Sequence, residues 1–314
     1  MVLESLLETE SVAKHPLFAL FLGFLFSSVS LWIAFFSFPA SASILAISFI
    51  TIAAVPLIHH VFQWEEEQAV KKRSRHRSFT GRNFDLIKIY AWFSLGIIAG
   101  YAIWYTLLPM DANSVCWQAG SCIDIPDRGT VFKEQIRSLD MISKISGSEM
   151  VANATVGGGI CSGFWCWFNL VFTNNSSLML LAVLLSFLFG AGALFLITWN
   201  ASIVGVLIGQ NIVASNHLTF LGLLPHGIPE FAGYFMGAIS GGLISVALTK
   251  KKFFPKEFEI VAKDSLFLLI IALFSLLVGA AIEAFALIGD VTMGMAFSIG
   301  YILFLAVLVA RTQL

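Results

Sequence analysis

The chain has 314 residues, 58% hydrophobic and only 12% charged, with a formal net charge of -1 and a mean hydropathy of +0.88. A soluble domain is about 45–50% apolar and about 25% charged. The composition therefore excludes an ordinary water-soluble enzyme and gives no expectation of a nucleic-acid partner. It predicts an all-α, polytopic helix bundle in a membrane.

Crossing a bilayer core of about 30 Å takes about 20 helical residues, and roughly eight stretches qualify or nearly qualify. They run approximately from Leu17 to Phe38, Ser41 to Phe62, Phe84 to Leu108, Ser177 to Trp199, Ala201 to Ala214, Ile228 to Thr249, Ser265 to Leu287 and Val291 to Ala310. Ahead of the first, Glu4, Glu8 and Glu10 stand where a cleavable signal would be basic, so a retained amphipathic lead-in ending at Lys14-His15-Pro16 is expected. The first three stretches form an N-terminal region, residues 1–108.

Between the second and third stretches, Trp64-Glu65-Glu66-Glu67 leads into Lys71, Lys72, Arg73, Arg75, Arg77 and Arg82. The positive-inside rule places this run in the cytoplasm, where it fixes topology or binds anionic headgroups. A second basic run, Lys250, Lys251, Lys252, Lys256 and Lys263, falls on the same side, with four stretches between the two. Both termini are then cytoplasmic, and a cell-membrane location is expected.

The segment 109–176 falls outside, and it holds all four cysteines, Cys116, Cys122, Cys161 and Cys166. Disulfides persist in oxidising compartments, so an extracellular, disulfide-containing cap is predicted. Cys116 with Cys122 and Cys161 with Cys166 would each close a small local loop, although order alone fixes no pairing. A zinc site is the alternative, with spacings wider than usual and no histidine in the segment. The cap also carries two N-glycosylation sequons, at Asn153 and Asn175. Between the cysteine pairs, Val131, Phe132, Ile136, Leu139 and Ile145 among charges suggest a short amphipathic helix lying over the bilayer or a cavity.

In the C-terminal region, 177–314, the fifth stretch is short and runs through Ser215, Asn216 and His217 to Leu224. That suggests a tilted, broken or re-entrant element. Before it, Thr198-Trp199-Asn200-Ala201-Ser202 reads as an inner turn, with Asn200 capping a helix or holding a reversal and Trp199 anchoring at the interface. Glycines recur in steps of four at Gly96 and Gly100, at Gly205 and Gly209, and at Gly233, Gly237 and Gly241. This spacing suits close helix packing, within the chain for most of them, with a homodimer also expected.

The sixth stretch opens with Leu224-Pro225-His226-Gly227-Ile228-Pro229-Glu230, and an ionisable residue inside a membrane segment marks a functional site by default. With Pro229 in the first helical turn, the Glu230 carboxylate would face the positive end of the helix dipole. Glu283, Asn174, Asn175 and Asp290 fall at comparable depth, so a polar cluster is expected in the outer third of the membrane.

Phe172-Thr173-Asn174-Asn175, Phe189-Gly190-Ala191-Gly192-Ala193-Leu194, Thr198-Trp199-Asn200-Ala201-Ser202 and Pro225-His226-Gly227-Ile228-Pro229-Glu230 follow in an order that resembles the stage II sporulation protein M family, most closely its archaeal members. Leu3-Glu4-Ser5-Leu6, His15-Pro16, Phe38-Pro39, Glu66-Glu67, Asp264-Ser265-Leu266 and Ile282-Glu283 extend the likeness over nearly the whole chain. The resemblance implies a polytopic membrane fold whose five-span core is residues 177–314. It also implies, from the bacterial namesake, a membrane anchor of a complex containing peptidoglycan-degrading enzymes, without catalytic activity of its own. The three extra N-terminal stretches and the cysteine-bearing cap depart from the short bacterial form.

Three readings of the cluster follow. In the first, Glu230 stabilises its helix start, His226 satisfies carbonyls and Glu283 bonds Asn174 or Asn175, which suits a non-enzymatic scaffold organising envelope partners with no cofactor. In the second, Glu230 and Glu283 form a cation or proton site at a broken helix. In the third, His226, Glu230 and Glu283 hold a metal for hydrolysis, with His217 as a further ligand. No activated serine nucleophile and no phosphate-binding glycine loop is recognisable.

Overall fold

A computed structural model describes residues 16–71, 79–116, 122–146, 161, 163–189, 192–216, 222–249 and 255–313. The acidic lead-in, most of the first basic run, Asn153, His217 and Lys250 to Lys252 lie outside the described residues. Among the described residues, the regular structure is helical apart from one short ribbon. In order it forms α1 (Pro16–Ser37), a 3-10 turn at Pro39–Ser41, α2 (Ala42–Lys71), α3 (Phe79–Leu107), β1 (Asn113–Cys116), β2 (Cys122–Ile125), α4 (Arg128–Val131), α5 (Lys133–Ser146), α6 (Phe164–Phe189), α7 (Leu194–Val213), α8 (Leu224–Thr249), α9 (Pro255–Leu287) and α10 (Val291–Gln313).

Seven helices among the described residues are long and apolar enough to cross a membrane: α1, α2, α3, α6, α7, α9 and α10. The eighth long helix, α8, has 26 residues and opens on Pro225, His226, Gly227, Pro229 and Glu230. The chain is therefore a multi-pass membrane protein. Helices α1, α2, α3 and α7 pack together as one group, and α6, α8, α9 and α10 as the other. One large buried cluster joins the two groups, running from Ala19 and Leu31 through Tyr90, Tyr101 and Phe132 to Ile239 and Leu276.

Lipid tails are as apolar as leucine, so close packing and hydrogen bonds hold membrane helices together in place of water exclusion. The glycines serve this role inside the chain. A Cβ on Gly96 would strike the backbone of Leu20, Phe24 and Gly23, and one on Gly23 the Phe93 carbonyl, so α1 and α3 touch backbone to backbone. Gly205 and Gly209 admit Tyr101 and Tyr105 of α3, while Gly237 and Gly241 admit Met179 and the Val183 backbone of α6.

The seventh helix corrects the sequence reading. It runs unbroken for 20 residues, Leu194–Val213, so it is neither short nor re-entrant, and Trp199 and Asn200 sit inside it, away from any turn. The reversal comes earlier, at Gly192 and Ala193. The polar run survives within a helix because its side chains bond their own turns: Asn200 Nδ2 donates to the Leu196 carbonyl at 2.8 Å, and Ser202 Oγ to that of Trp199 at 2.7 Å. The preceding helix also begins earlier than expected, at Phe164, which takes Cys166, Asn174 and Asn175 out of the cap.

The cap contains a two-stranded antiparallel ribbon, an exception to the all-α expectation, in which Cys116 faces Cys122. Cys161 and Cys166 form a disulfide with Cα atoms 5.4 Å apart, stapling the chain to the first turn of α6. The amphipathic element is a helix that packs one face into the bundle. Val131, Phe132 and Gln135 are fully enclosed, Phe132 between Tyr101 and Tyr105 with ring centroids 5.8 and 5.5 Å away. Ser43 Oγ of α2 donates to the Val131 carbonyl at 3.0 Å, and Gln135 Nε2 reaches Ser202 Oγ of α7 at 3.3 Å. The α4–α5 segment is thus a plug seated among α2, α3 and α7.

Asp127 starts that plug, accepting from the Thr130 amide at 2.8 Å and the Thr130 hydroxyl at 2.6 Å. The hydroxyl bond first, and the amide bond with it, hold this carboxyl below the usual carboxylate value. Its stabilisation is complete above the unfolded value of about 3.9 and is lost as pH falls through the lower folded value. Asp127→Ala is expected to cost about 1 kcal/mol of local stability. Hydrogen exchange of residues 128–146 checks this: acidification below about pH 4 should loosen the native segment by this route and leave the variant without that step.

Candidate functional site

The polar residues converge where α6, α8 and α9 meet near the capped end of the bundle. On α8, His226, Glu230 and Tyr234 recur every four residues and so share a helix face. Glu230 Oε1 accepts from Asn175 Nδ2 at 2.7 Å across to α6. Asn175 Oδ1 in turn accepts from the Tyr234 hydroxyl at 3.0 Å and from Asn174 Nδ2 at 3.2 Å. The Glu283 carboxyl, from α9, stands beside Glu230 and near His226.

Gly279 explains how α9 comes so close. A Cβ there would fall 2.9 Å from Glu230 Cγ and 3.4 Å from the His226 carbonyl. One turn along, Gly233 admits Leu276. Aromatic rings stack at the start of α6: Phe164, Phe168 and Phe172 follow in series, and Phe164 meets Phe285 of α9 with ring centroids 4.4 Å apart.

The helix starts differently from the expectation. It begins at Leu224, which puts His226 in the first turn and Pro229 in the second, inside the helix. Proline has no N–H to give, so the Pro225 carbonyl four residues earlier loses its intrahelical partner. The freed carbonyl lies on the turn that carries His226.

Asn175, expected as a glycosylation acceptor, is only 6% exposed, lies inside a membrane-spanning helix and spends its amide on Glu230. No sugar is transferred to such a side chain, so that assignment is withdrawn. Asn174 is exposed and joins the cluster only through Asn175. Asp290 stands apart from it: its carboxylate accepts from the Met293 amide at 3.1 Å and caps α10. Trp199 and Asn200, on α7, are not part of the cluster. Among the described residues no three His, Cys, Asp or Glu side chains are grouped to hold a metal ion, and His226, Glu230 and Glu283 make no exception.

Two members escaped the sequence reading. Tyr234 continues the four-residue rhythm of His226 and Glu230, a signal present in the chain. Gly279 carried none, because its role depends on which helix faces it.

The sequence model of one family, described as stage II sporulation protein M, matches residues 89–286. That span takes in most of α3, the cap and all of α6 to α9, including every residue of the cluster, and leaves out α1, α2 and α10. No curated protein and no solved structure matches the chain.

Proposed function

We propose, from the premise that the chain belongs to the stage II sporulation protein M family, that it is a non-enzymatic membrane scaffold anchoring partners at the cell envelope. In this reading α8 is an eighth crossing, the basic ends of α2, α3 and α9 and both termini lie in the cytoplasm, and the cap faces outward. The distribution of lysine and arginine supports that orientation, as does the Cys161–Cys166 disulfide.

One observation carries the reading: the hydrogen bonds that run from Tyr234 through Asn175 to Glu230 tie α8 to α6. Glu283 of α9 stands beside that chain of bonds. The polar atoms are spent on helix-to-helix bonds, as a rigid platform needs. The plug at the capped end adds a second brace. Together they hold a fixed outer surface on which envelope proteins can assemble.

A second reading, conduction of protons or cations past Glu230 and Glu283, is favoured by the two neighbouring carboxyls and by the freed Pro225 carbonyl one turn earlier on α8. Reconstitution separates the two. Glu230→Gln keeps an acceptor oxygen for Asn175, and Glu283→Gln keeps a partner for Glu230, so the bundle is expected to persist in both. If the protein is a scaffold, proton and potassium flux into liposomes matches that of empty vesicles for the native chain and for both variants. Flux through the native chain that disappears in either variant would overturn the scaffold as the whole function.

A further inference from the structure

We propose that the outward face of α6 is the seat for a second copy of the chain, α6 against α6, with Asn174 at the centre of the contact. Inward, the helix buries Val171, Asn175, Met179, Ala182 and Ser186. On the opposite side Leu170, Asn174, Ser177, Leu181, Leu184 and Leu188 follow one another in alternating steps of four and three, and all six are exposed. That alternation is the a/d seam of a heptad, the pattern by which two helices pack at about 20°. Nothing among the described residues covers it.

Lipid alone would suit the leucines, but it does not suit Asn174. This residue stands ten positions into a 26-residue span, about 15 Å from its start at 1.5 Å per residue, where no lipid group offers a hydrogen bond. Two other amides on the spans turn back on their own helix: Asn200 and Asn211 of α7 donate to the carbonyls of Leu196 and Leu207, each at 2.8 Å. Asn174 donates to Asn175 Oδ1 instead. Its own Oδ1 accepts from no group among the described residues, and its second N–H has no acceptor there.

A carboxamide carries both functions, so two copies related by a twofold axis satisfy each other, each donating an N–H to the other's oxygen. A partner of different sequence would have to supply that pair by chance, whereas a second copy supplies it by symmetry. One polar residue in an apolar seam also fixes its register. Ser177, one turn on, has its hydroxyl committed to the Thr173 carbonyl at 2.7 Å and leaves a small surface for close approach. The inference requires only the membrane-spanning fold, and it stands or falls separately from the anchoring of envelope partners.

Cysteine crosslinking of the full-length protein in phosphatidylcholine–phosphatidylglycerol liposomes tests it. Ser177→Cys and Leu181→Cys are expected to give covalent dimers on mild oxidation, and Leu303→Cys, on the lipid-facing side of α10 and 61% exposed, to give none. Asn174→Val is expected to weaken association about three- to tenfold, the range of hydrogen bonds between membrane helices. Should that variant fail to accumulate, Leu181→Trp obstructs the same seam away from the cluster and must also reduce the dimer. Monomers at every position, dimers through Leu303→Cys alone, or adducts in cell membranes with a different polypeptide would each overturn the assignment.

Discussion

Replacing Gly96 with valine is expected to separate α1 from α3 and to cost 3 kcal/mol or more, above the usual range of about 1–3 kcal/mol for overpacking. The reason lies in what a Cβ would meet. Its neighbours are the Leu20 carbonyl, the Phe24 amide and Gly23 Cα, all backbone atoms. A side chain can rotate away, whereas a backbone can yield only if a whole helix moves. Gly23 doubles the constraint, because its own surroundings are the Phe93 backbone and the Ile97 amide. Gly300 provides the control. Nothing lies within 4 Å of a Cβ built there, so Gly300→Ala is expected to be neutral or to gain up to about 1 kcal/mol from helix propensity. Thermal unfolding in detergent, followed by the loss of the monodisperse peak on size exclusion, measures both. Equal melting temperatures for the two variants would refute the backbone contact.

Phe132→Ala is expected to cost about 3–5 kcal/mol, the range for truncating a fully buried aromatic. Phe132 is completely enclosed and packs against the rings of Tyr101 and Tyr105. Arg128, four residues earlier, lies over the outer ring of this pair, 5.3 Å from the Tyr105 centroid, and its amide donates to the Pro109 carbonyl at 3.0 Å. Losing Phe132 therefore leaves the plug held by Ser43, Gln135 and that N-terminal clamp. Amide exchange across 128–146 should rise steeply while α8 and α9 stay protected, and Phe132→Leu should recover most of the protection. If exchange rises equally everywhere, the plug is part of one cooperative unit with the bundle and not a separately seated element.

The membrane character, the positions of most long helices and the polar residues of α8 were legible because hydropathy and stray charge are local properties of a sequence. Errors arose where a side chain answered to its own helix. Asn200 and Ser202 look like a turn until their bonds to carbonyls of the same helix are seen. Asn175 matches a sequon as a string, yet its place is decided by Glu230, fifty-five residues away. The partners of the plug were not legible for a related reason. An amphipathic pattern identifies a face to be buried but does not say whether lipid or protein buries it. Gln135 holds the answer, since a polar residue on the buried side points to a hydrogen-bonding protein partner, here Ser202.

The pairing of α3 with α7 constrains how the molecule is made. Tyr101 sits against Gly205 and Tyr105 against Gly209, so the two helices run in the same direction, as neighbours do only when another pass of the chain lies between them. At 5–20 residues per second, synthesis delivers the end of α7 about 5–20 s after the end of α3. During that interval α3 has α1, α2 and the plug but lacks the helix that supplies Ser202 to Gln135. Biogenesis must therefore hold an incomplete half-bundle with an open polar notch in the membrane until α7 arrives.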